Sequence, residues 1–269
     1  VRAAFGWRAM TLLLVENLNK NFGGVVAARN VSFTLAAGEM LAMIGPNGAG
    51  KSTSFNMVGG QLRPDSGRIM LEGQDITDLP PRTICRLGVG RSFQVAQIFL
   101  SMSVLENLQM ALIAHAGRTR DVISRAGALY RAEALALLDQ LGMAEQAERP
   151  MGALAYGDVK RVELAIALAG APRLLLMDEP TAGMAPAERA ALMRLVAGIA
   201  RRSGIGVLFT EHDMDAVFAH ADRILVLVRG EIIAAGTPEQ VRANPELQRV
   251  YLGTSGLRAA LRARAAAHG

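Results

Sequence analysis

Short apolar runs alternate with helical patterns along almost the whole chain, which predicts an α/β fold. Strands are expected at Leu12–Val15, Met40–Ile44, Arg68–Leu71, Val89–Phe93, Leu174–Met177, Ile205–Thr210 and Ile224–Val228. Several of these are continuous apolar runs rather than alternating ones, which suits strands buried on both faces. Helices are expected at Lys51–Val58, Ala187–Arg202 and Asp213–Ala219. From Val104 to Gln146 strand signals vanish and Ala, Leu, Glu and Arg dominate, so this stretch reads as a helical insertion projecting from the sheet. After Asn244 a short helix is expected to lead into a frayed Arg/Ala tail.

Composition narrows the class. A chain of 269 residues fits one large α/β domain, or a core with a smaller lobe. With 51% hydrophobic and 20% charged residues it is neither disordered nor fibrous. The formal charge of +5 suggests nucleic acid until it is located. Arg2 and Arg8 lie in the first ten residues and Arg258, Arg262 and Arg264 in the last thirteen, with no acid in either tail. The remaining body, residues 11–256, holds 24 basic and 24 acidic groups. It therefore carries no phosphate-backbone footprint, and no nucleic-acid partner is expected.

The single cysteine, Cys85, excludes an internal disulfide framework and is expected to be a small, partly buried thiol. The longest run without charge, Ser92 to Leu105, is fourteen residues and includes two Gln and three Ser. A membrane-spanning helix needs about twenty mostly apolar residues, so none is expected. The residues up to Met10 lack the apolar core of a signal peptide and read as an extension upstream of the start. A cytoplasmic location follows as an expectation.

The strongest chemical signal is Gly45-Pro46-Asn47-Gly48-Ala49-Gly50-Lys51-Ser52, followed by Thr53, which fits G-x-x-x-x-G-K-[ST]. With three Lys in the chain, about 0.002 chance matches are expected from composition. The glycines let the backbone curl so that successive N–H groups point at phosphate oxygens. The positive end of the following helix faces the same anion. Lys51 is expected to reach the β- and γ-phosphates, and the Ser52 hydroxyl to ligate Mg²⁺. A second carboxylate is needed for the metal, and Asp178 supplies one at the end of an apolar strand, binding the ion directly or through its second shell. The adjacent Glu179 is expected to polarise a water as general base.

Further motifs resemble ATP-binding-cassette ATPases. Leu154-Ala155-Tyr156-Gly157-Asp158 resembles their signature segment, usually Leu-Ser-Gly-Gly-Gln. Gln94 resembles the Q-loop glutamine, His212 the switch histidine, and Pro64-Asp65-Ser66-Gly67 a recurrent segment. Phe22 stands where that family keeps an aromatic that stacks on adenine. The resemblance runs from about Leu12 to Gly253, with the motifs in the family's order. It implies a P-loop NTPase cassette fold: a mixed-sheet core, an N-terminal antiparallel β region and a helical lobe carrying the signature. One domain is then expected over 11–256, its core in 11–94 and 173–256 and its lobe at about 95–172. The tails 1–10 and 257–269 are expected to be poorly ordered.

The resemblance also implies how the parts act. Two cassettes, identical or related, face head to tail and trap two ATP molecules with Mg²⁺. Each site joins the phosphate loop of one chain to Ala155, Tyr156, Gly157 and Asp158 of the other. Gln94 then senses the metal or the attacking water, and His212 bonds the γ-phosphate. Two departures stand out. The signature serine and its next glycine are Ala155 and Tyr156, and Ala185 stands where the D-loop often carries aspartate. Tyr156 and the segment Asn244 to Gly253 resemble a narrower group, ATPases of importers for branched-chain and other hydrophobic amino acids. That subgroup implies transmembrane permease subunits, an external solute-binding protein reached indirectly, and a peripheral position on the inner face of the cell membrane. Lipopolysaccharide export is the neighbouring alternative, which a signature serine would have favoured. A soluble cassette protein of DNA repair or translation is less favoured, since those carry long coiled-coil insertions or two fused cassettes. Lys51, Asp178, Glu179 and His212 argue against a degenerate binding module. In the transporter family a cytoplasmic helix of the membrane subunit docks beside the segment after Gln94. Here Val95 to Leu100 is uncharged and apolar, and at least one of Ile98, Phe99 and Leu100 is expected at the surface.

Overall fold

The computed structural model describes residues 11–92, 98–118 and 128–244. The chain tails, the helix expected after Asn244, Gln94 and the end of the strand expected to reach Phe93 lie outside those residues. Two sheets carry the fold. The first is antiparallel, with β1 (Thr11–Phe22), β2 (Val25–Ala36), β4 (Ser66–Leu71) and β5 (Gln74–Asp75) in the order β2-β1-β4-β5. The second contains β3 (Met40–Ile44), β6 (Val89–Ser92), β7 (Leu174–Asp178), β8 (Gly206–Thr210), β9 (Arg223–Val228) and β10 (Glu231–Gly236). Its order is β10-β9-β3-β8-β7-β6, parallel throughout except for the antiparallel edge strand β10.

The continuous apolar runs became central parallel strands because both faces of the larger sheet are covered. Side chains alternate faces along a strand. Leu41, Met43, Leu174, Leu176 and Leu208 therefore point into one apolar cluster, with Phe55 and Met57 of α1 (Lys51–Val58) and Leu13, Leu18 and Leu35 of the antiparallel sheet. Ala42, Ile44, Leu175, Met177, Val207 and Phe209 point into the other. That face is closed by helices α3 (Val104–His115), α4 (Arg131–Gln140), α5 (Tyr156–Leu168) and α6 (Pro186–Ser203). Asp178 and Thr210 continue the alternation of Leu176 and Leu208, so their side chains share the face that α1 covers.

Within the described residues the expected elements other than β1 recur with small changes at their ends, and α7 spans Met214–His220 behind an Asp213 cap. Three strands depart from the sequence pattern. β1 is twelve residues rather than four, and β2 was unmarked. Both are bulged: the register shifts between Val15 and Leu18, and Asn17 and Asn30 take positive φ of 49° and 50°. Bulges break the two-residue period on which strand reading depends. β10 was also unmarked, although Arg229 and Gly230, both at positive φ, form the two-residue turn that pairs it with β9. Two further short helices are α2 (Pro81–Arg86) and α8 (Pro238–Ala243). On α2 the buried position goes to Ile84, which leaves Cys85 exposed and corrects the expectation of a partly buried thiol.

Candidate nucleotide site

β3 runs buried to Ile44 and α1 starts at Lys51, so the glycine-rich loop links strand to helix. Its path requires glycine at two places. A Cβ on Gly45 would sit 2.3 Å from the Leu227 carbonyl oxygen, and one on Gly50 would sit 2.2 Å from that of Ala27. Gly50 also holds φ of 100° as the residue before the helix. The loop is pinned from outside by the β9–β10 turn, whose Gly230 N–H donates to the Ala49 carbonyl at 2.9 Å. Arg29 N–H donates in turn to the Gly230 carbonyl at 2.8 Å, which brings in β2. No side chain caps α1, and its first turn holds no acid. The opening N–H groups and the positive dipole end are therefore offered to an anion. Pro46, Asn47, Gly48 and Ser52 are exposed, while Ala49 is buried.

Lys51 is buried, and its Nζ donates to the carbonyls of Gly45 at 2.7 Å and Pro46 at 3.2 Å. Burial lowers its pKa, against the opposing pull of the Glu179 and Asp178 carboxylates.

Those carboxylates stand at the end of β7, and the end of β8 holds them. Thr210, opposite Asp178 in the ladder, donates its hydroxyl to Asp178 Oδ1 at 2.7 Å. Glu179 N–H donates to the Thr210 hydroxyl at 3.1 Å and carbonyl at 3.2 Å. Buried Glu211 accepts from the Thr181 hydroxyl at 2.6 Å and its N–H at 3.0 Å. His212 Nε2 lies 2.6 Å from Glu179 Oε1. A carboxylate only accepts, so that contact assigns the ring proton to Nε2. Glu179 has φ of 50°, a left-handed conformation that costs a non-glycine residue about 1–3 kcal/mol and that these neighbours hold in place.

The other expected residues fall in different places. Phe22 ends β1 half-exposed, with Lys20 Nζ 5.6 Å from its ring centroid. Gln94 lies outside the described residues. Ala155 precedes α5 without a side-chain cap, and Gly157 and Asp158 follow in its first turn. The half-exposed Tyr156 donates its hydroxyl to the Ala182 carbonyl at 3.0 Å, and its ring borders Gly183. The start of α5 is thus tied to the loop after Glu179 within one chain. Arg189 extends that connection by pairing with Asp213 and donating to the Met184 carbonyl at 3.1 Å. Sequence reasoning passed over Thr210, Glu211 and Arg189, because only strand register and helix packing bring them to the site.

Between α2, β6, α3 and α5 lies a cavity of about 910 Å³, with Ile84, Arg86, Arg91, Phe99 and Met110 in its wall. Ile98 packs on the core, whereas Phe99 and Leu100 are 52% and 62% exposed, as expected of this apolar run. Buried Asn107 fixes the backbone there, accepting from Phe99 N–H at 2.8 Å and donating to its carbonyl at 3.0 Å.

A strand, a glycine loop with a buried lysine, a bare helix N-terminus and paired carboxylates on the same sheet define a P-loop nucleotide hydrolase. The profile of the ABC transporter family matches residues 28–182. The high-affinity branched-chain amino acid transport ATP-binding protein LivG of Escherichia coli K12 is 40% identical over 251 residues, covering 90% of this chain and 98% of LivG. The lipopolysaccharide export system ATP-binding protein LptB of Haemophilus influenzae is 36% identical over 244 residues, covering 91% and 98%. The ADP conformation of an ATP-binding cassette from an ABC transporter superposes with a TM-score of 0.82 at 32% identity, covering 91% of this chain and 100% of that one. The chain belongs to the ABC transporter family and is one of its ATP-binding cassette ATPases.

The loop geometry makes one testable demand. Gly50→Ala would place a side chain at φ near 100° against Ala27. A Cβ 2.2 Å from the Ala27 carbonyl oxygen forces the loop out of its curl, so nucleotide binding should weaken by about tenfold or more. Calorimetric titration should read that loss while far-UV circular dichroism stays unchanged. Wild-type affinity in Gly50→Ala would contradict the role given to loop curvature.

Proposed function

We propose that this ATPase powers the uptake of branched-chain or related hydrophobic amino acids through separate transmembrane permease subunits. The observation that carries the chemistry is the 2.6 Å contact between His212 and Glu179 beside the buried Asp178 and Lys51. Likeness to LivG over nearly its whole length and the Tyr-Gly signature support the amino-acid reading. Among the described residues no helix is long and apolar enough to cross a membrane. The permease would therefore hold the chain peripherally, on the cytoplasmic face, with an external solute-binding protein engaged only through it.

In this reading Lys51 neutralises the β- and γ-phosphates, and the loop from Gly45 to Thr53 cradles them with its backbone N–H groups, Pro46 having none to give. The Ser52 hydroxyl and the Asp178 carboxylate are hard oxygen donors of the kind Mg²⁺ prefers. They would hold that ion together with Gln94, and it would neutralise charge on the phosphates. Glu179 accepts the proton of the attacking water, and the Nε2–H that now bonds Glu179 donates to a γ-phosphate oxygen. Phe22 stacks on adenine. Ala155, Tyr156, Gly157 and Asp158 close the site of a second cassette, identical or related, with the start of α5 directed at its γ-phosphate. The core would comprise 11–94 and 173–256, and the signature lobe about 95–172.

Two variants test this. Glu179→Gln should bind ATP as wild type does while hydrolysis falls by about 10²–10⁴-fold. With ATP the same variant should associate into dimers by sedimentation, alone or with a related cassette. Hydrolysis near wild type would remove Glu179 from the role of base. Phe99→Ala should stay folded and bind ATP, yet weaken assembly with the permease and lower transport more than basal hydrolysis. Assembly and transport untouched by the change would rule out docking at this edge of the cavity.

A further inference from the structure

We propose that Thr210 is a positioning residue for both acids of the site, and above all for the metal-holding carboxylate of Asp178. The proposal rests on the reading of Asp178 as a ligand of the nucleotide's metal ion.

Parallel register sets Thr210 directly beside Asp178, on the face covered by α1. Its side chain is fully buried. The hydroxyl has a single proton, which goes to Asp178 Oδ1 at 2.7 Å, because a carboxylate accepts only. Its lone pairs receive the Glu179 N–H at 3.1 Å. Donor and acceptor are both committed, and a β-branched side chain is stiff about χ1. One hydroxyl thus fixes the orientation of the Asp178 carboxylate and anchors the backbone at the point where Glu179 turns left-handed. The engaged Oδ1 keeps the carboxylate from rotating, and its remaining acceptor capacity is presented in one orientation. Hydrogen bonds of this kind orient metal-ligating carboxylates, and their loss typically lowers metal affinity about 10–100-fold.

A merely structural threonine would affect stability but not metal affinity, and the test separates the two. Mn²⁺ affinity is measured by electron paramagnetic resonance on the ADP complex of wild type, Thr210→Val, Thr210→Ser and Asp178→Asn. Thr210→Val keeps the shape and removes the hydroxyl. It should weaken Mn²⁺ binding by about 10–100-fold while leaving ADP affinity without metal unchanged. Thr210→Ser, which restores the hydroxyl, should bind Mn²⁺ close to wild type. If Thr210→Val does not fold, Thr210→Ala removes the same group without steric demand and carries the same expectation. Wild-type Mn²⁺ affinity in the hydroxyl-free variant, with Asp178→Asn impaired, overturns the role of Thr210 alone. Thr210→Ser as impaired as Thr210→Val overturns it too. Unimpaired Asp178→Asn overturns the reading of the metal ligand on which the proposal stands.

Discussion

Lys51 carries a buried ammonium whose hydrogen bonds go to its own loop, to the carbonyls of Gly45 and Pro46. Much of the surrounding structure exists to allow that arrangement. The backbone must curl around the ammonium, which leaves no room for a side chain at Gly45 or Gly50. A loop so tightly wound needs external support, and the β9–β10 turn and β2 provide it through Gly230 and Arg29. The desolvated charge also needs compensation, and Asp178 and Glu179 supply the opposing field from the end of β7. The antiparallel sheet and the edge hairpin are in this sense parts of the loop's support.

The second organising feature is the parallel pairing of β7 with β8. Thr210, Glu211 and His212 leave β8 in succession and reach Asp178, Thr181 and Glu179 respectively. The register places Thr210, so sliding β8 by one residue would turn its side chain to the other face and misplace the residues that follow it. From the same region two contacts lead outward. Tyr156 bonds the Ala182 carbonyl, and Arg189 joins Met184 to Asp213. The start of α5, the loop after Glu179 and the segment after His212 are thereby linked within one chain.

What the sequence revealed follows from the range of each interaction. The phosphate loop, β3 and α1 were legible because strand, glycines and helix start lie within about twenty consecutive residues. β7 and its acids were legible because a strand buried on both faces leaves a continuous apolar run. The bulged strands β1 and β2 were only partly visible, since Asn17 and Asn30 interrupt their period. Thr210 and Glu211 looked like an ordinary strand end, because their partners lie about thirty residues upstream and only the fold supplies the register. Cys85 was misjudged because a short helix has room for a single buried position, which Ile84 occupies.

If the loop from Gly45 to Ser52 cradles phosphates as proposed, the phosphates contribute more to nucleotide affinity than the base does. Calorimetric titration of the purified chain with ATP, AMP and adenosine, each with Mg²⁺, tests it most directly. ATP should bind well, AMP far more weakly and adenosine not measurably, since in the proposed reading the β- and γ-phosphates are the groups that reach Lys51 and the start of α1. Adenosine binding as tightly as ATP would contradict it.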